Sequence, residues 1–330
     1  MRYILTLLLL LTVLGCNAFP QVSDNKKRLN SNHDDNTPPH HTRVLSKKQW
    51  AHGTENCEDN QEPILDVYQH DVSTFIIRQN KCLTFEAPFI YILIGQNKIV
   101  VLDTGDIDTD VNFSLYTQIK STIDLIHQDK EWLVIHTHSH NDHLAGDPDF
   151  SGRKNVSIAG TTSVDVQHFF GFKNWPNEVA HLELGKRKLT IIPTPGHQEE
   201  AISIFDPSTQ WLLTGDSLYP GKIYIKNWQA YSKSIRRLVN FSNQHEIKAI
   251  LGAHIEMTNQ PGQYYPIGTQ YQPNEHPLTL SVSDLKKLNF TLEKYQEEAP
   301  DNELIFDNFI VEPMGFLQRT ISDIVRFFSA

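Results

Sequence analysis

The chain has 330 residues, 39% of them hydrophobic and 21% charged, with a formal net charge of −10. That is an ordinary globular composition with material for a sizeable core. The acidic balance excludes a nucleic-acid backbone as the main partner, because phosphate binding demands a basic surface.

The N-terminus reads as a targeting segment. Arg2 precedes an unbroken apolar run from Tyr3 to Leu14, followed by Gly15-Cys16. The run is short for a membrane span of about 20 residues and suits the core of a signal peptide. Two endings stay open. Val13-Leu14-Gly15-Cys16 resembles a lipobox, which ends the signal at residue 15 and anchors Cys16 to a membrane by lipid; alternatively, cleavage follows Ala18. Either predicts export, to the periplasm or cell envelope of a bacterium and otherwise to the outside. Residues 19–50 are poor in apolar side chains and are expected to be a disordered linker, with His33, His40 and His41 in it. The main domain is expected over 51–275, and a helical and strand extension packed on it over 276–330. With Cys16 accounted for, Cys57 and Cys82 are left, and in an oxidising compartment they are expected to pair.

Strands come first in the folded part. Ile64–Tyr68, Ser73–Arg78 and Phe89–Ile94 are β-branched and aromatic between polar turns. Gln96-Asn97 sets the last of these in a hairpin with Lys98–Leu102, which runs into Asp103-Thr104-Gly105. Apolar residues at Val111, Leu115, Ile119, Ile123 and Ile126 predict a helix over Asp110–Gln128. The strand Trp132–Ile135 follows, so strand, helix and strand make a parallel βαβ step. A short strand at Val156–Ala159 and a helix over Thr161–Phe170 come next, with His168 as a surface or packing residue. Strands at Lys188–Ile192, Ala201–Phe205, Gln210–Thr214 and Lys248–Leu251 and a helix over Ala230–His245 continue the αβ pattern. The Tyr-, Gln-, Pro- and Gly-rich stretch up to Pro277 is expected to be a lid over the functional site. A helix over Leu278–Glu298, a strand pair near Glu303–Val311 and a last helix over Phe316–Phe328 close the chain.

The chemistry concentrates after the strand at Trp132–Ile135. Thr137-His138-Ser139-His140-Asn141-Asp142-His143 places three imidazoles and a carboxylate within six residues. Such groups are costly to bury unless something pairs with them, and a divalent metal ion does so. Side chains alternate in an extended segment, so His138 and His140 share a face and can grip one ion. Asp142 and His143 follow where the chain turns and can reach a second. Three later strands also end on ionisable residues: at Thr194-Pro195-Gly196-His197, at Gly215-Asp216 and at Gly252-Ala253-His254.

The His-x-His-x-Asp-His motif, followed in order by these three strand ends, resembles the signature of metallo-β-lactamase-fold hydrolases. The resemblance implies an α/β fold, a four-layer αβ/βα sandwich with the site at one edge of two packed sheets. It implies that His138, His140 and His197 hold one metal, that Asp142, His143 and His254 hold another, and that Asp216 bridges them. The ions would be zinc, two per chain, with iron or manganese as other options. A hydroxide shared by the two ions would then attack an ester, lactone, thioester or related bond of a small-molecule substrate, with Asp142 steering it. A secreted metallo-β-lactamase, a mononuclear-iron enzyme like the persulfide dioxygenases, and a non-catalytic metal-binding lipoprotein are the alternatives. Asp103 either orients a ligand histidine or stabilises its turn. Tyr219, Lys222 and Tyr224 either contact substrate or are plain strand and turn residues. Where the family often continues with Thr and Gly after its third histidine, this chain has Gln198-Glu199-Glu200.

Overall fold

The computed structural model describes residues 44–106, 113–124, 127, 129–296, 298–315 and 318–319. The targeting segment, most of the expected linker and nearly all of the helix expected over Phe316–Phe328 lie outside the described residues.

Six strands form the first sheet, in sequence order: β1 (Leu65–Asp71), β2 (Thr74–Gln79), β3 (Phe89–Ile94), β4 (Lys98–Leu102), β5 (Glu131–Ile135) and β6 (Val156–Ile158). β1 to β4 pair antiparallel, β1 with β2 and β3 with β4 through short turns and β2 with β3 through residues 80–88. Between β4 and β5 the chain passes through α1 (Leu115–Thr122), and that crossover makes the pair parallel, with Leu102 opposite Ile135. Every residue of β2 and β3 is buried, as expected of strands covered on both faces. Three short helices follow β5: α2 (Asn141–Leu144), α3 (Asp147–Phe150) and, after β6, α4 (Ser163–Phe170).

The second sheet contains β7 (Ala180–Glu183), β8 (Lys188–Pro193), β9 (Ile202–Asp206) and β10 (Trp211–Gly215). The chain then makes β11 (Lys222–Ile225) and the helix α5 (Trp228–Ser242), and returns as β12 (Ala249–Gly252), parallel to β10. The sheet is completed by β13 (Thr279–Leu280), in the order β13-β12-β10-β9-β8-β7. After α6 (Val282–Tyr295), β14 (Leu304–Ile305) and β15 (Ile310–Pro313) join β11 in a small third sheet. β13 pairs with β12, so the segment expected as an extension from residue 276 supplies an edge strand of the main domain.

Three apolar clusters define four layers. Ile76, Tyr91, Val100 and Leu133 of the first sheet meet Leu189, Ile204, Trp211 and Leu251 of the second in the central core. The outer face of the first sheet packs Ile90, Ile92 and Val101 on Leu115 and Ile119 of α1. On the far side, Phe205, Leu212 and Ile250 pack under α5 and α6 through Ile235, Leu238, Leu285 and Leu288. The layers run α, β, β, α. Arg187 bolts the sheets together: its guanidinium donates to the Ser73 and Ile94 carbonyls of one side and to Asp206, at 2.6 Å, of the other.

The packed body begins before residue 51. Leu45 and Trp50, inside the expected linker, are buried in the central core, and Trp50 stacks edge-on against Phe89. Cys57 and Cys82 are joined in a disulfide, as their leftover status predicts. The stretch expected as a lid is tied down. Glu275 takes a bidentate pair from the buried Arg78 at 2.6 Å, and the Gln272 backbone N–H donates to the His52 carbonyl at 2.9 Å.

Candidate metal centre

All the singled-out strand ends open on one edge of the sandwich. β5 leads into His138 and His140, and α2 carries Asp142 and His143. β8 ends before His197, β10 before Asp216 and β12 before His254. Two glycines allow the approach. Gly196 has φ +149, and a Cβ there would lie 2.5 Å from the backbone of Tyr231. Gly215 has φ +50, and a Cβ there would lie 2.5 Å from the side chain of Thr137. Side chains rarely adopt these φ values, so glycine is the fitting residue at both.

The structure brings the seven residues into two groups. His138, His140, His197 and Asp216 form one; Asp142, His143, His254 and Asp216 form the other; within each, the donor atoms lie within 4.8 Å of one another. In the first group, Nδ1 of His140 is 3.0 Å from Nε2 of both His138 and His197. In the second, Oδ2 of Asp142 is 3.3 Å from His143 Nε2 and 3.2 Å from His254 Nε2. Asp216 belongs to both. Its Oδ2 is 3.8 Å from His138 and 3.6 Å from His197, while its Oδ1 is 3.6 Å from His143 and from His254. A tetrahedral ion with bonds of about 2.0–2.1 Å needs ligand atoms about 3.4 Å apart. Both groups fit a metal ion of that size.

The model of the metallo-beta-lactamase superfamily matches residues 83–288. The chain belongs to this superfamily. Hydroxyacylglutathione hydrolase from Actinobacillus pleuropneumoniae serotype 5b (strain L20) is 25% identical over 170 residues, half of this chain. The match spans 65% of that relative, just under two thirds of its length. Among solved structures, a metallo-beta-lactamase from Pontibacter korlensis aligns with TM-score 0.45 and 18% identity, covering 69% of this chain and 99% of that one. Another from Hirschia baltica aligns with TM-score 0.43 and 18% identity, covering 58% and 91%.

In this metallo-beta-lactamase fold each imidazole is aimed by a bond on its other nitrogen. His143 Nδ1 lies 2.9 Å from Asp103, His197 Nδ1 donates to the Tyr224 carbonyl at 2.7 Å, and His254 Nδ1 donates to the Glu86 carbonyl at 3.1 Å. Such partners fix the tautomer and the direction of a ligating imidazole. Asp103 does more, accepting from the Thr137 N–H at 2.7 Å and from its hydroxyl at 2.9 Å. It therefore both orients His143 and ties down the turn at Thr137. His140 Nε2 lies 2.5 Å from the Gln198 side-chain amide.

The two groups differ electrostatically. Burial pushes His140 down to about 3, and burial with His143 and His140 beside it holds His138 well below the ordinary imidazole value. His138 and His140 thus offer neutral lone pairs. In the second, burial is outweighed by Asp216 and Asp142, which raise His254 to about 10. A metal entering that group displaces protons. Glu86, beside His254, is pushed up to about 7 by burial.

The three substrate candidates lie beside the centre but are committed to protein partners. The Tyr219 ring is 5.6 Å from that of His254, and its hydroxyl donates to the Lys222 carbonyl at 2.7 Å. The Lys222 ammonium is held by Glu303 at 3.0 Å and Glu312 at 2.5 Å. Tyr224 serves the centre through its carbonyl. The supports on Glu86 and Tyr224 are main-chain atoms, which carry no side-chain signature. Gln198 and Glu200 did have a signal, as departures from the family pattern.

Proposed function

We propose that this chain is a dinuclear zinc hydrolase of acyl bonds, with thioesters first among the thioester, ester and lactone class. The observation that carries the reading is Asp216, whose two carboxylate oxygens face different histidine pairs at 3.6–3.8 Å. Three imidazoles in one group and two with a carboxylate in the other suit zinc. His138, His140 and His197 would hold one ion, Asp142, His143 and His254 the other, and Asp216 both. Two such ions supply a water acidic enough to ionise near neutral pH and a Lewis acid for the acyl oxygen. Asp142 directs Oδ2 at both imidazoles of its group, and its other oxygen is available to accept a proton from the attacking water. No serine or cysteine nucleophile is required. The relative named hydroxyacylglutathione hydrolase supports an acyl group carried on a thiol.

The proposal includes export. The apolar run before Cys16 and the Cys57–Cys82 bond support an oxidising compartment. Palmitate labelling abolished by Cys16→Ser supports a lipid anchor, and unchanged labelling removes it.

The test is metal analysis of purified protein, then turnover on thioester, ester, lactone, phosphodiester and β-lactam substrates. Two zinc ions per chain are expected, with thioester turnover lost to a chelator and restored by zinc. A single iron with no hydrolysis of any acyl substrate would overturn the reading.

A further inference from the structure

We propose that Glu200 is a positioning residue for the first metal group, gripping the His138-Ser139-His140 segment from the opposite sheet. The inference rests on the proposed metal reading and deepens it. Glu200 is 1% exposed and Ser139 8%. Its Oε1 accepts from the Ser139 N–H at 3.0 Å and also from the Ser139 hydroxyl. Ser139 lies between two ligands, whose donor atoms must converge to the 3.0 Å seen here.

The grip crosses the seam of the sandwich. Ser139 follows β5 of the first sheet, and Glu200 enters β9 of the second. The Ile202 N–H donates to the Thr137 carbonyl at 2.9 Å across the same seam. On the other flank of His138, Asp103 holds the Thr137 N–H. His138 is thus bracketed by two carboxylate-anchored residues. The turn that carries Glu200 also supplies His197, and its Gln198 amide meets His140. One four-residue turn therefore bears on all three histidines of the first group: as a ligand, as a contact to a second ligand, and as the anchor between the first two. The second group takes its support from Asp103 and the Glu86 carbonyl. A carboxylate buried this deeply is costly unless its bonds are good, and the Ser139 N–H and hydroxyl, from the residue separating two ligands, supply two of them.

This predicts a loss confined to one ion. Zinc affinity is measured by chelator competition in two backgrounds, with circular dichroism to check folding. His254→Ala keeps the first group whole; there, adding Glu200→Ala should weaken zinc binding roughly 10- to 100-fold, the range for partners that orient ligands. His138→Ala keeps the second group whole; there, Glu200→Ala should cost far less, because the supports named for that group, Asp103 and the Glu86 carbonyl, are untouched. Glu200→Gln keeps an oxygen acceptor and should retain most of the affinity. Ser139→Ala, which removes one donor from a small side chain, should weaken the first ion in the same sense and carries the test if Glu200→Ala does not fold. Equal losses in both backgrounds, or none in either, would overturn the inference while leaving the metal centre standing. A wild-type chain that takes up no zinc would overturn both.

Discussion

Removing the Asp216 carboxylate separates a shared centre from two independent ones. In Asp216→Ala each group keeps three donors: three imidazoles in one, Asp142 with two imidazoles in the other. What goes is the anion that faces both, with oxygens 3.6–3.8 Å from four imidazole nitrogens. A unit charge about 4 Å from another is worth about 4 kcal/mol at an effective dielectric of about 20, which is a floor for a carboxylate facing a divalent ion. At about 1.4 kcal/mol per tenfold, that corresponds to roughly a thousandfold weaker hold on the second ion. Chelator competition should therefore strip one zinc from Asp216→Ala at about a thousandth of the free chelator that the wild type needs. Turnover on the best substrate should fall by several orders of magnitude. The fold should survive, because Asp216 sits beyond the end of β10, and circular dichroism with chelator present in both samples checks this. His168→Ala, on the exposed face of α4, is the control and should change neither quantity. Two tightly held ions with wild-type turnover in Asp216→Ala would reduce Asp216 to a turn residue and refute the shared centre.

Other expectations concern the scaffold. Asp206→Asn leaves the Arg187 guanidinium buried without its counter-charge and should cost about 3–5 kcal/mol by denaturant unfolding. Burial pushes the Asp206 carboxyl up, but Arg187 and Thr209 overrule it and hold it below the usual range. The stability from this pair is then present above the ordinary carboxylate pKa of about 3.9 and is lost as pH falls through the lowered folded value. The wild-type lead over Asp206→Asn should accordingly shrink in acid, and a lead unchanged well below that range would contradict the assignment. Gly215→Ala places a Cβ 2.5 Å from Thr137 at φ +50; it should destabilise by at least about 1 kcal/mol and weaken zinc binding, read from melting and chelator titrations. Cys57→Ser opens a loop of sequence separation 25 and should cost about 3–4 kcal/mol in the chain-entropy model. Reductant should lower the unfolding midpoint of the wild type and leave that of Cys57→Ser in place.

What could be read from the sequence follows from where the physics is local. β3 and β4 match their expected bounds because a strand buried on both faces must be apolar throughout. The seven donors were legible because ionisable groups packed at strand ends need a partner. Local periodicity overextended α1: Ile123 continues the apolar spacing, yet its backbone is extended at ψ 150, and the described helix is Leu115–Thr122. β7 and β11 were missed for the opposite reason. Ala180–Glu183 alternates half-buried and exposed residues on a sheet edge. Lys222–Ile225 becomes a strand only through β15, far along the chain. The anchoring of the stretch expected as a lid was not legible, because Arg78, a lone cation on an apolar strand, pairs with Glu275 from that loop.

The supports of the centre were the least legible part, and their arrangement explains why. No helix or strand holds a ligand alone. His197 is aimed by the carbonyl of Tyr224 on β11, and His254 by the carbonyl of Glu86, which follows the Cys57–Cys82 bond on the first-sheet side. His143 is aimed by Asp103 after β4, and the segment between His138 and His140 is gripped by Glu200 before β9. His143, His197 and His254 thus leave one strand end and are oriented from another. The direction of these three imidazoles is set by how the two sheets and the small third sheet stack, which no short window of sequence contains. Ligand identity is therefore a local property of this chain, and ligand geometry a global one.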